Sequence, residues 1–205
     1  MKLYYIPGAC SLAAHIVALE ADLPVTFHRV DISERGKTVE GEDYTKINPT
    51  GLVPLLVLED GTKLAEAAVI IQYLGSLASG EILVPGEGKE AWKLRETINF
   101  LATEVHKSFA PLFSPTLPFE ARPVFEGLVK KRLAYVADNL IGPSGYVAGD
   151  GFTVADAYLF TLLGWARFQN MDLGFAPKLG EYARRIGARP AAAEALKQEG
   201  LEHLR

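Results

Sequence analysis

The chain has a single cysteine, Cys10, among 205 residues. That excludes an intrachain disulfide framework and any metal site built from several thiolates. The four histidines, His15, His28, His106 and His203, are far apart and lack ligand-like spacing, so no metal is expected. Runs of like charge are also missing: 21 basic residues are scattered among 25 acidic ones, for a net charge of −4. No polyanion-binding surface follows, and no nucleic-acid partner is expected. Long hydrophobic runs are absent from the start of the chain, where a short apolar stretch meets Pro7-Gly8. That is neither a secretory leader core nor a bilayer span, which makes a cytoplasmic protein without membrane contact the expectation. What the chain does have is 49% hydrophobic residues, enough for one substantial core or two small ones.

Lys2 to Ile6 is aromatic and β-branched and stops at Pro7-Gly8, the pattern of a short buried strand. Leu12, Ile16 and Leu19 fall about one turn apart in a helix from Ser11 to Ala21. Val25 to Ile32 reads as a second strand, Glu40 to Lys46 as a weak polar helix and Leu55 to Leu58 as a third strand. Asp60-Gly61 turns into a fourth, Thr62 to Leu64, and a helix follows over Ala67 to Leu77. The order β-α-β-α-β-β and a last helix matches the α/β thioredoxin layout over residues 1–80. Gly75 to Gly80 and Pro85 to Gly88 form a Gly/Ser/Pro-rich linker. Beyond it, over 88–205, Leu94, Ile98, Leu101, Val105 and Phe109 make a helical stripe. Val124 to Leu140, Thr153 to Phe168 and Lys178 to Ile186 make further helices, so the second domain is all-helical.

Cys10 follows the Pro7-Gly8-Ala9 turn at the first turn of helix one, where unpaired N–H groups favour a thiolate, so its sulfur is expected to be more acidic than a free thiol. A small buried hydrophobe is the competing reading. Ser11 and Tyr5, beside it, could each hold a thiol ligand, or serve as helix cap and core aromatic. In Asn48-Pro-Thr-Gly-Leu-Val-Pro54 the last proline sits at the mouth of a strand, and a cis bond there would turn the Val53 backbone outward to pair with an extended peptide. Glu66-Ala67 opens a helix and suits an α-amino-acid head group, while Arg35 and Lys37 could meet a second carboxylate. Asn99, Thr103 and His106 share a helical stripe, in which His106 could donate to a bound thiolate or carry a charge for it. Thr153-Val-Ala-Asp156 is a capping box with Asp in place of Glu.

Together, Met1 to Tyr5, Pro7 to Ala13, Asn48 to Pro54, Ala102 to Lys107 and Phe152 to Phe160 resemble the bacterial beta-class cytosolic glutathione transferases along essentially the whole chain. The resemblance implies a homodimer, with glutathione in the first domain and a hydrophobic electrophile in the cleft between domains. It gives Cys10 and His106 the catalytic places and Val53 a backbone pairing with the cysteinyl unit. Glu66 and Ala67 take the γ-glutamyl site, and Asn99 and Thr103 further contacts. Glutathione is the co-substrate and no other cofactor is implied. Two departures stand out: Ala67 occupies a place where a serine or glycine often stands, so a serine's hydroxyl is absent, and either Arg35 or Lys37 fits the loop cation.

Three functions remain open on this reading. The first is conjugation of glutathione to hydrophobic electrophiles in detoxification. The second is a thiol–disulfide or peroxide reductase with Cys10 as nucleophile. The third is a non-catalytic carrier of apolar compounds, which would need none of Cys10, Glu66 and His106. Phe109, Phe113 and Trp165 are the expected lining of the electrophile cleft.

Overall fold

The computed structural model describes residues 1–34, 36–80 and 83–204. The first strand, β1 (Lys2–Tyr5), alternates its side chains across the sheet: Leu3 enters the main core and Tyr4 a smaller cluster on the opposite face. The turn at Pro7-Gly8 leads into α1 (Ser11–Glu20), whose residues are buried from Ser11 to Ala18, as a helix apolar on all sides must be. β2 (Thr26–Arg29) pairs parallel with β1.

The sequence then departs from expectation. The strand expected over Val25 to Ile32 breaks after Arg29, and a small antiparallel meander of β3 (Asp31–Ser33), β4 (Gly36–Val39) and β5 (Glu42–Asp43) follows, whose last hairpin takes the start of the polar helix expected over Glu40 to Lys46. The reason lies in two residues: Glu40 and Gly41 have φ of 51° and 86°, the left-handed pair that closes a two-residue hairpin between Val39 and Glu42. Only Tyr44–Lys46 keeps a single helical turn, capped by the Asp43 carboxylate on the Thr45 N–H.

β6 (Leu55–Val57) and β7 (Lys63–Ala65) complete a four-stranded mixed sheet in the order β2-β1-β6-β7. α2 (Ala67–Ser76) includes Gly75, where the expected helix and the expected linker overlap. That glycine is buried where a Cβ would lie 2.5 Å from Val154 Cγ1 and 2.7 Å from Val84 Cγ2. Gly75→Ala improves helix propensity but overfills this contact between stiff valines. A net loss of about 1–3 kcal/mol is expected, read as a lower urea midpoint.

α3 (Gly88–Phe100) continues through a wider π segment over Leu101–His106 into α4 (Lys107–Phe109). α5 (Arg122–Tyr135), α6 (Val154–Phe168), α7 (Pro177–Gly187) and α8 (Pro190–Gln198) complete the helical half, the last of them unforeseen in the sequence. α1 packs directly on α6 and α8, so one hydrophobic core runs from Leu3 and Ile16 through Tyr158 to Leu196. The two halves are therefore held together by their interiors rather than by the linker.

Candidate active site

Cys10 stands immediately before α1 and its thiol donates to the Val53 carbonyl at 3.3 Å. The Val53–Pro54 peptide is cis. The expected acidity of this thiol is corrected by its surroundings. Burial is the largest influence and pushes the pKa up to about 11, with the Glu66 carboxylate adding to the rise. The N–H groups of Cys10 and Ser11 and the Lys107 ammonium pull it down, without outweighing the loss of water.

Ser11 does not turn to the thiol. Its hydroxyl donates to the Ile6 carbonyl and accepts from the Ile6 N–H, at 3.2 and 3.3 Å, and closes the turn before α1. Tyr5 is buried edge-on against His15. Glu66 is exposed at the start of α2 with φ of +69°, an unusual conformation for a non-glycine residue, and its carbonyl accepts from the N–H groups of Val69 and Ile70. Ala67 is buried behind it. Arg35 lies outside the described residues. Lys37, the other candidate cation, donates to the Gly51 carbonyl at 2.6 Å, two residues from Val53.

From the helical half, His106 comes off the π segment half-buried, and its Nδ1 lies 2.6 Å from the Tyr158 hydroxyl. Burial first, and the neighbouring Lys107 charge second, lower its pKa to about 4, so the ring is neutral near pH 7. Of the two roles read from the sequence, donation by the neutral ring is the one this burial favours. Asn99 and Thr103 are exposed, and the Thr103 hydroxyl donates to the Asn99 carbonyl at 3.0 Å. Among the described residues no hydrogen bond ties either of them to His106 or Cys10.

Trp165 bridges the halves: its indole N–H donates to the Gly8 carbonyl at 2.7 Å, and its ring meets His106 edge-on with centroids 4.7 Å apart. Phe113 packs on Trp165 and stacks on Phe168, and both phenylalanines expose part of their rings. Phe109, expected to line the cleft, is fully buried and belongs to the core. Sequence reasoning missed Tyr158 and Phe168. Both lie on α6, inside or just beyond segments already recognised, but only the fold shows which way a helical residue faces.

A thioredoxin-like sheet with a cysteine at the start of its first helix, joined to a helical half whose tryptophan bonds the loop before that helix and packs against a histidine, defines a class of two-domain proteins. Comparison with known proteins gives the family. The profile "Glutathione S-transferase, N-terminal domain" matches residues 8–77, and "Glutathione S-transferase, C-terminal domain" matches residues 121–196. Glutathione S-transferase GstA of Escherichia coli O157:H7 is 40% identical over 98% of this chain and 100% of its own length. A sphingomonad glutathione S-transferase solved with glutathione superposes with a TM-score of 0.91 at 41% identity, covering 98% of this chain and 100% of the other. A beta-class enzyme of Sphingomonas chungbukensis gives 0.90 at 40% identity, with 98% and 100% covered. The chain belongs to the glutathione S-transferase family and is similar to its bacterial beta class.

Proposed function

We propose that this glutathione S-transferase binds glutathione along the first domain with its sulfur at Cys10, and conjugates it to an apolar electrophile held against Trp165, Phe113 and Phe168. The observation that carries the reading is that Cys10, whose thiol bonds the Val53 carbonyl, lies two residues from Gly8, whose carbonyl takes the Trp165 indole N–H, with His106 edge-on against that same indole. The Val53 N–H has no partner among the described residues, which leaves it to pair with the cysteinyl unit of an extended tripeptide. Glu66, with the N–H groups that open α2, takes the γ-glutamyl head group. Arg35 or Lys37 takes the glycyl carboxylate, and Tyr5, Asn99 and Thr103 stay in the proposed glutathione set. A detoxifying role in the cytoplasm, as a homodimer, accords with this reading. The chemistry needs glutathione as co-substrate and no metal.

Conjugation is favoured over a reductase by the state of Cys10. A thiol whose burial pushes its pKa up to about 11 is held protonated near pH 7, which weakens it as the attacking group in disulfide exchange. The reacting nucleophile is then glutathione's own sulfur, held beside the electrophile. Cys10→Ala is expected to conjugate glutathione to a chlorinated dinitrobenzene within about tenfold of wild type, while any glutathione-dependent reduction of a mixed disulfide that the wild type shows is lost. Equal loss of both activities would overturn this division of roles. Silence of the wild type in both assays, with glutathione bound, would make the protein a carrier.

A further inference from the structure

His106 is one of two residues that the proposed mechanism places at the sulfur, and its usefulness depends on which ring nitrogen carries the proton. Tyr158, on α6, is 1% exposed, and its hydroxyl forms one hydrogen bond among the described residues, to His106 Nδ1 at 2.6 Å. Two arrangements fit that distance. If the imidazole N–H donated from Nδ1, the phenol hydrogen would be buried without an acceptor. If the phenol donates, every group in the contact is satisfied and the single ring proton must sit on Nε2. Leaving a buried donor unpaired biases the equilibrium against the first arrangement by roughly tenfold or more. Nε2 itself makes no hydrogen bond among the described residues and is not among their buried unpartnered atoms.

We propose that Tyr158 is a positioning residue that fixes His106 in the Nε2–H form, so that the neutral ring presents a donor to the glutathione sulfur as it becomes a thiolate. The edge-on packing of His106 against both Tyr158 and Trp165 holds the ring plane while the phenol sets the tautomer. Because Trp165 also bonds the Gly8 carbonyl, the donor is tied to the loop that carries Cys10. A donor of this kind favours the thiolate without carrying a charge of its own. The inference rests on the proposed role of His106 in conjugation.

The test uses the full chain labelled with 15N-histidine. Two-bond proton–nitrogen spectra at pH 7 report the tautomer of each ring, and His106→Gln identifies the His106 signals by their loss. Wild type is expected to show His106 predominantly as Nε2–H, with Nδ1–H at about a tenth or less. Tyr158→Phe is expected to show a measurable Nδ1–H population and a kcat for conjugation lower by about tenfold, with KM for glutathione within about twofold, the fold remaining intact by its urea midpoint. A predominant Nδ1–H form in wild type overturns the proposal, and so does an unchanged kcat in Tyr158→Phe. If His106→Gln conjugates at the wild-type rate, the assigned role of His106 fails and takes the catalytic half of the proposal with it. The wild-type spectrum still tells that failure apart from a wrong tautomer.

Discussion

Glu199→Ala is expected to destabilise the protein by about 3–5 kcal/mol, the loss that follows removal of one partner from a buried polar pair. The carboxylate sits at the end of α8, where the helix dipole opposes a negative charge. It is compensated entirely from the other half of the chain. One oxygen lies 2.9 Å from His15 Nδ1, with both side chains fully buried, and the other accepts the Gly8 N–H at 2.8 Å. The second ring nitrogen of His15 meets Gln198 Oε1 at 2.8 Å, and the ring stacks on Phe27 with centroids 3.8 Å apart. Gly200, with φ of 72°, ends the helix in a Schellman turn, Leu201 N–H to the Leu196 carbonyl and Gly200 N–H to the Lys197 carbonyl. That turn brings the Leu201 side chain up to Gly8. Truncation therefore orphans the half-buried Gly8 N–H and a fully buried imidazole nitrogen and leaves a void beside them. Glu199→Gln should cost about half as much, since its oxygen can still accept from Gly8 while its amide faces His15. Urea midpoints of the two variants check this. A loss below about 0.5 kcal/mol for the alanine variant would show that the pair contributes nothing net.

None of that pairing could be read in advance, and the reason is distance along the chain. His15 and Glu199 are 184 residues apart, and neither lies in a pattern that marks the other. What was legible was local. The strand, turn and helix around Pro7-Gly8-Ala9-Cys10, the Asp60-Gly61 hairpin, the proline at the mouth of β6 and the apolar stripe from Leu94 to Phe109 each rest on residues within a turn or two of one another. Errors came where a local cue met a competing local or tertiary one. Glu40-Gly41 reads as a polar helix start until the left-handed pair of residues is recognised as a hairpin. The helix N-terminus argues for an acidic Cys10, but burial decides against it. His106 looks like a titrating group by type, yet the same burial keeps it neutral. The stripe of Asn99, Thr103 and His106 assumes α-helical spacing throughout, and the π segment breaks that spacing just where His106 leaves it.

Asp156→Ala is expected to cost at least as much as the loss of Glu199, because it removes the acceptor for four donors. Asp156 is fully buried at the third position of α6. One oxygen accepts from the Val147 N–H at 3.1 Å and the Tyr182 hydroxyl at 2.8 Å, and the other from the Thr153 N–H at 2.9 Å and the Thr153 hydroxyl at 3.1 Å. Burial pushes the carboxyl's pKa up, and these donors pull against it. The capping box thus reaches beyond its own helix, to the loop before it and to α7. Two of the donors are backbone N–H groups that cannot turn elsewhere, and each left unpaired in the interior costs about 1–3 kcal/mol. Asp156→Asn should not rescue the loss. Whichever way the amide is placed, its NH2 faces the Val147 N–H or the Thr153 N–H, donor against donor. Both variants should therefore unfold at markedly lower urea concentration, with the asparagine protein closer to the alanine protein than to wild type. An asparagine variant as stable as wild type would mean that the carboxylate serves only to cap α6 and that its bonds to Val147 and Tyr182 are dispensable.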